Sequence, residues 1–151
     1  MLGLVVLLAG LGGCGGDKKE EKTASGGPGT APQPAAEAAI SGTISLDPAL
    51  KDKAPKEPLL LIIASKSPGP TKPPIVVKRV AGVTFPYEYK LTAEDITLVG
   101  ATFDGKMYVT ARIDPAGLVG AAGPGNLEGV YPGNPVPVGS SKVDIVINKA
   151  Y

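Results

Sequence analysis

From residue 38 onward the chain alternates short apolar runs with Pro, Gly, Asn and Asp at intervals of about ten residues, and this spacing constrains the fold more than any other feature. Runs this short suit strands with one buried face, and the breakers between them suit tight turns. The abundance of Gly (21) and Pro (16) in 151 residues would be a burden on helices but fits many strands joined by turns. The expectation is an all-β domain over residues 38–151, an antiparallel sandwich of about seven strands.

The individual strands can be placed. Ile40, Ile44 and Leu46 alternate with Ser41, Thr43 and Ser45, and Asp47-Pro48 ends the run with Asp47 as a cap and Pro48 at the first position of a helical turn. Leu59 to Ala64 is apolar on both faces, as expected of a central strand covered above and below. Ile75 to Val80 follows the stiff Pro73-Pro74 pair. Phe85, Tyr87, Tyr89 and Leu91 share one aromatic face, and Pro86, which has no N–H for a ladder, implies that the strand lies at an edge or begins irregularly. Residues 96–103 and 106–114 read as a hairpin turning at Asp104-Gly105, with Met107, Val109, Ala111 and Ile113 inward and Tyr108, Thr110 and Arg112 outward. Val143, Ile145 and Ile147 close the domain.

Between Pro115 and Ser141 the chain is too rich in Gly and Pro for a helix and too apolar for a disordered tail. It is expected to be an ordered loop, either a binding surface or a segment that plugs one end of the sandwich or adds an edge strand.

The first 37 residues have a different character. Residues 1–13 are apolar or Gly throughout, too short to span a bilayer at about 20 residues but suited to the apolar part of a signal peptide. Leu11-Gly12-Gly13-Cys14 resembles the lipobox of bacterial lipoproteins, which implies cleavage between Gly13 and Cys14 and attachment of lipid to the Cys14 thiol. Residues 14–37 contain no Val, Ile, Leu or aromatic residue, and are expected to form a disordered tether from the lipidated Cys14. Gly15 after the cysteine implies, by resemblance to sorted lipoproteins, the outer membrane, with the domain on the periplasmic side of the envelope. The expected partner on this side is therefore the membrane itself, through the acyl chains.

Chemistry-bearing residues are scarce. Lys and Arg (15) nearly balance Asp and Glu (14), and no basic cluster offers a footprint for nucleic acid. The absence of His removes the usual general base and the commonest metal ligand, so neither an enzyme nor a cofactor or metal site is expected. Asp95, Asp104, Asp114 and Glu128 lie near turns without the spaced acidic loop of a calcium site, and turn chemistry accounts for them. The two arginines, Arg79 and Arg112, sit within strands, where each can bind a partner's carboxylate or pair with a local acid. Candidate partner-binding residues are Arg79, Arg112, Asn126, Leu127 and Tyr131. Tyr87, Tyr89, Tyr108 and Tyr131 carry an alternative, an aromatic surface for a small ligand, sugar or peptide on an envelope lipoprotein, or one with a surface-structural role.

Residues 40–50 (ISGTISLDPAL), 61–64 (LIIA), 73–80 (PPIVVKRV), Phe85-Pro86 with Tyr89 and Leu91, 109–114 (VTARID) and 123–129 (GPGNLEG) follow one another in an order that resembles the C-terminal periplasmic domain of the cytochrome c biogenesis factors of the CcmI/CycH family. The resemblance implies an immunoglobulin-like β-sandwich outside the inner membrane, assisting haem attachment to apocytochrome c. It also implies apocytochrome c or proteins of the haem-ligation complex as partners. Family members carry membrane helices and a tetratricopeptide array; here a lipobox and tether precede the domain. The resulting expectation is a non-catalytic, lipid-anchored protein-interaction or assembly module.

Overall fold

The computed structural model describes residues 38–70 and 72–151, so the signal peptide, the Gly13-Cys14 cleavage site and the tether predicted from the sequence lie outside the described residues. Two sheets face each other across one core. The first has three strands, with β1 (Ile40–Leu46) between β4 (Tyr87–Leu91) and β8 (Ile145–Ile147). The second runs β3 (Val76–Ala81), β2 (Leu59–Ser65), β5 (Lys106–Ile113), β6 (Leu127–Val130), β9 (Lys149–Ala150), and the short β7 (Val136–Pro137) pairs with the free end of β5. Among the described residues no helix is long and apolar enough to cross a membrane.

The alternation along each strand decides which side chains meet between the sheets. Ile40, Ile44, Tyr89, Leu91, Ile145 and Ile147 from one sheet bury against Leu60, Ile62, Ala64 and the predicted inward set of β5 from the other. β2 is central, as its two-sided apolarity predicts: it lies between β3 and β5, and even Leu61 on the outer face is fully buried. Tyr87 directly follows Pro86, and β4 is the edge of its sheet. Asp47 caps a 3-10 helix over Pro48–Lys53 by accepting from the Ala49 N–H at 2.8 Å.

Three sequence expectations are corrected. Residues 96–103 form no strand: Ile96 makes a single bridge to Val76, and Leu98, Ala101 and Phe103 pack on the core from a loop. The Asp104-Gly105 turn does exist, with Gly105 at φ 61, but both edges of β5 are already taken, one by β2 and the other by β6 and β7, so the hairpin has no place to pair. Second, the 115–141 segment is only partly loop, and the strand it adds, β6, is not an edge but lies between β5 and β9, with the short β7 beside it in sequence. Third, β8 runs parallel to β1, one non-antiparallel pairing in the sandwich.

Two close backbone crossings seat the closing strand. A Cβ on Gly42 would collide with the backbone of Val143, and one on Gly129 with the backbone around Val146. Only glycine lets 143–147 lie this close to both sheets. The chain then changes sheets: the Asp47 N–H donates to the Ile147 carbonyl on one side, and the Asn148 N–H to the Glu128 carbonyl on the other.

Candidate functional site

The outer face of the larger sheet is not flat. Its strand registers set side chains into rows across the strands. Arg79, Leu61, Arg112 and Glu128 stand opposite one another in one row, and Val77, Ile63, Thr110 and Val130 in the next. Ser65 and Tyr108 form a third. At the Ser65 end Pro68, Pro70, Pro73 and Pro74 line one side of this face, and at the other end residues 119–122 line it, with the Gly120 carbonyl held by Arg112. Between these walls lies a groove of about 850 Å³.

The first row is held together electrostatically. Arg112 donates from Nε (2.9 Å) and Nη2 (2.6 Å) to Glu128 Oε2, and from Nη1 to the Gly120 carbonyl at 2.7 Å. The pair is largely withdrawn from water, with side chains 8 % and 12 % exposed. The other carboxylate oxygen of Glu128 accepts from the Tyr151 hydroxyl at 2.9 Å, and that hydroxyl accepts from Lys149 Nζ at 2.9 Å. Lys149 also lies 4.1 Å from the Tyr151 ring centroid, and the hydrogen bond to Tyr151 raises its ammonium above the ordinary value. Arg112 thus pins the 119–122 wall to the floor, and Glu128 ties that floor to the 149–151 segment.

The sequence candidates separate in this geometry. Arg79 and Arg112 both line the groove, but only Arg112 finds a local acid; Arg79 is exposed and makes no ion pair among the described residues. Asn126 is buried and holds the 123–126 turn by accepting from the Gly123 N–H at 3.0 Å. Leu127 is a core side chain, 2 % exposed, and Tyr131 packs partly against the core. Tyr89 is buried too, its hydroxyl donating to the Val143 carbonyl at 2.8 Å, so the aromatic face foreseen for a ligand is largely core. Tyr108 remains in the groove.

The acidic residues are each engaged separately. Asp95 accepts from the Thr92 N–H and pairs with Lys78 at 3.2 Å; Asp114 accepts from the Ala116 N–H at 2.8 Å. Lys66 bonds both the carbonyl and the carboxylate of Asp104, and that bond holds the Asp104 carboxyl below its usual range. Among the described residues no group of three or more His, Cys, Asp or Glu is placed to hold a metal ion.

One side of the groove, 119–122, falls in the 115–141 segment offered from sequence as a binding surface, and outward parity along β5 gave Tyr108, Thr110 and Arg112. The opposite side was missed: Pro68 and Pro70 read as turn markers and Pro73-Pro74 as a stiff lead into the next strand, and nothing local announces that these prolines and 119–122 line the same face.

With this geometry in hand, comparison with known proteins gives a consistent result. Residues 40–148 match the family model of the cytochrome c-type biogenesis protein H Ig-like domain. An uncharacterized protein of Aquifex aeolicus (strain VF5) is 33 % identical over 112 residues, covering 74 % of this chain and 71 % of that one. No solved structure matches the chain.

Proposed function

The chain belongs to the family of the cytochrome c-type biogenesis protein H Ig-like domain, and from that premise we propose that it serves cytochrome c maturation as a non-catalytic assembly module. Lipid on Cys14 holds it to the membrane, residues 15–37 act as the tether, and the sandwich works on the periplasmic side of the envelope, at the outer membrane. Its partners are apocytochrome c or proteins of the haem-ligation complex.

The observation that carries this reading is the walled groove on the outer face of the larger sheet. Its floor is braced, because Glu128 bonds both Arg112 and Tyr151, and its middle row is apolar except for Thr110. Such a face can dock a segment of a protein partner: it has a shaped, largely apolar floor with the exposed cations Arg79 and Lys72 beside it. Full-length protein, tagged within residues 15–37 and cross-linked in membranes, is expected to recover haem-ligation components or an apocytochrome. Recovery of unrelated envelope proteins alone would overturn the assignment.

A further inference from the structure

The recognition chemistry of the groove is further constrained by which of its polar groups are already satisfied. This inference rests on reading the groove as the docking surface, although it does not depend on which apparatus the partner belongs to. The carboxylate of Glu128 is neutralised by Arg112 and bonded on both oxygens, and all three Arg112 nitrogens donate internally. Neither residue has much left for a ligand. Two other cations line the same groove, Arg79 on β3 and Lys72 in the wall just before it. Both are exposed and neither is in an ion pair among the described residues. Among the described side chains that line it, the groove therefore carries uncompensated positive charge along its β3 side and no uncompensated carboxylate.

Beyond that charged margin the floor turns apolar. Val77, Ile63, Thr110 and Val130 cross four strands, a distance of about 14 Å at 4.7–4.9 Å per strand, which matches about four residues of extended chain at ~3.4 Å each. Tyr108 and Thr110 keep hydroxyls that bond nothing among the described residues, so a bound backbone has groups to meet in mid-floor. Pro68, Pro70, Pro73 and Pro74 make the facing wall stiff, with φ fixed in advance and no N–H of its own to satisfy.

We propose that this groove takes an extended peptide segment of a partner, about four to six residues long, with apolar side chains over Ile63 and Val130 and an Asp or Glu gripped by Arg79 and Lys72. A guanidinium can hold that carboxylate through two parallel hydrogen bonds. An inorganic anion would use the charged margin and leave the apolar row idle. Nucleic acid would need more cations than these two.

The test uses full-length protein in detergent and a positional array of acetylated, amidated hexapeptides, whose blocked ends leave side chains as the only source of charge. Selection of Asp or Glu at one end, with Val, Ile, Leu or Pro at the following positions, is expected. Arg79→Glu should lower binding of the selected acidic peptides at least tenfold, and Thr110→Trp, which fills the floor, should do the same for every selected peptide. Arg79 is exposed and is not expected to affect folding; unchanged thermal melting of both variants verifies this. Retention of acidic peptides regardless of their apolar content overturns the proposal, as does binding indifferent to both variants. Self-association that Arg79→Glu abolishes would place a second copy in the groove and overturn it too. If the peptide results hold while cross-linking recovers no maturation protein, the functional assignment fails and this inference stands. If maturation proteins are recovered equally by both variants, the inference fails alone.

Discussion

The Tyr89 hydroxyl donates to the Val143 carbonyl at 2.8 Å, and Tyr89 stands opposite Gly42, the residue whose missing Cβ makes room for the Val143 backbone. One hydrogen bond and one absent methyl thus fasten the closing segment to the edge of the smaller sheet.

Tyr89→Phe leaves a buried carbonyl without this donor and is expected to cost about 1–3 kcal/mol, read as a lower urea midpoint with an unchanged slope. Burial, reinforced by Asp144 and Tyr131, raises the Tyr89 hydroxyl well above its ordinary value of 10.0. The unfolded chain therefore gives up this proton first. Stability is level below about pH 10 and falls as pH rises beyond it, because there the folded state holds a proton that the unfolded state has lost. Denaturation series at pH 8 and pH 11 should show a smaller alkaline loss in Tyr89→Phe than in the parent.

At Gly42 and Gly129 the obstacle is backbone, which cannot swing aside as a flexible side chain would. Gly42→Ala is expected to cost about 3 kcal/mol or more, the upper range for overpacking. Gly120→Ala meets nothing within 4 Å and serves as the control, expected to stay within about 0.5 kcal/mol of the parent. Urea midpoints measured side by side test both.

Glu128→Ala strands the Arg112 guanidinium with only the Gly120 carbonyl, and a loss of about 3–5 kcal/mol is expected. Replacing both partners together, Arg112→Met with Glu128→Leu, removes the uncompensated charge and should recover much of that loss. A double-mutant cycle in urea measures the coupling; additive losses would show that Arg112 and Glu128 do not stabilise each other.

Cys14→Ser is expected to abolish incorporation of radiolabelled fatty acid and shift the protein from the membrane to the soluble fraction. The far-ultraviolet spectrum of the β domain should not change. Lipid labelling that survives the substitution would place the anchor elsewhere.

Much of the sandwich was legible because period-two alternation maps directly onto burial: Met107, Val109, Ala111 and Ile113 are all fully buried, as their spacing predicts. The same signal misled at 96–103, where alternate apolar residues pack on the core without a partner strand. Periodicity reports which side chains are buried, whereas pairing depends on an edge being open. The candidate site was less legible for a related reason. Arg112 was expected on a wet face, and its parity is indeed outward, but the 119–122 connection covers it and leaves it 6 % exposed. Leu127 and Asn126 were candidates for partner binding, yet one fills the core and the other braces a turn.

On the side of β5 away from β2, where β6 ends and β7 has not begun, no strand residue is opposite Val109. The Asn134 carboxamide stands in for one, its Oδ1 accepting from the Val109 N–H and its Nδ2 donating to the Val109 carbonyl, each at 2.9 Å. Hydrolysis of that amide would leave only acceptors and break the second bond. Spontaneous deamidation usually proceeds by attack of the following residue's N–H nitrogen on the side chain, and here the following residue is Pro135, which has no N–H. The sheet is thus completed by a group whose own successor shields it from chemical ageing.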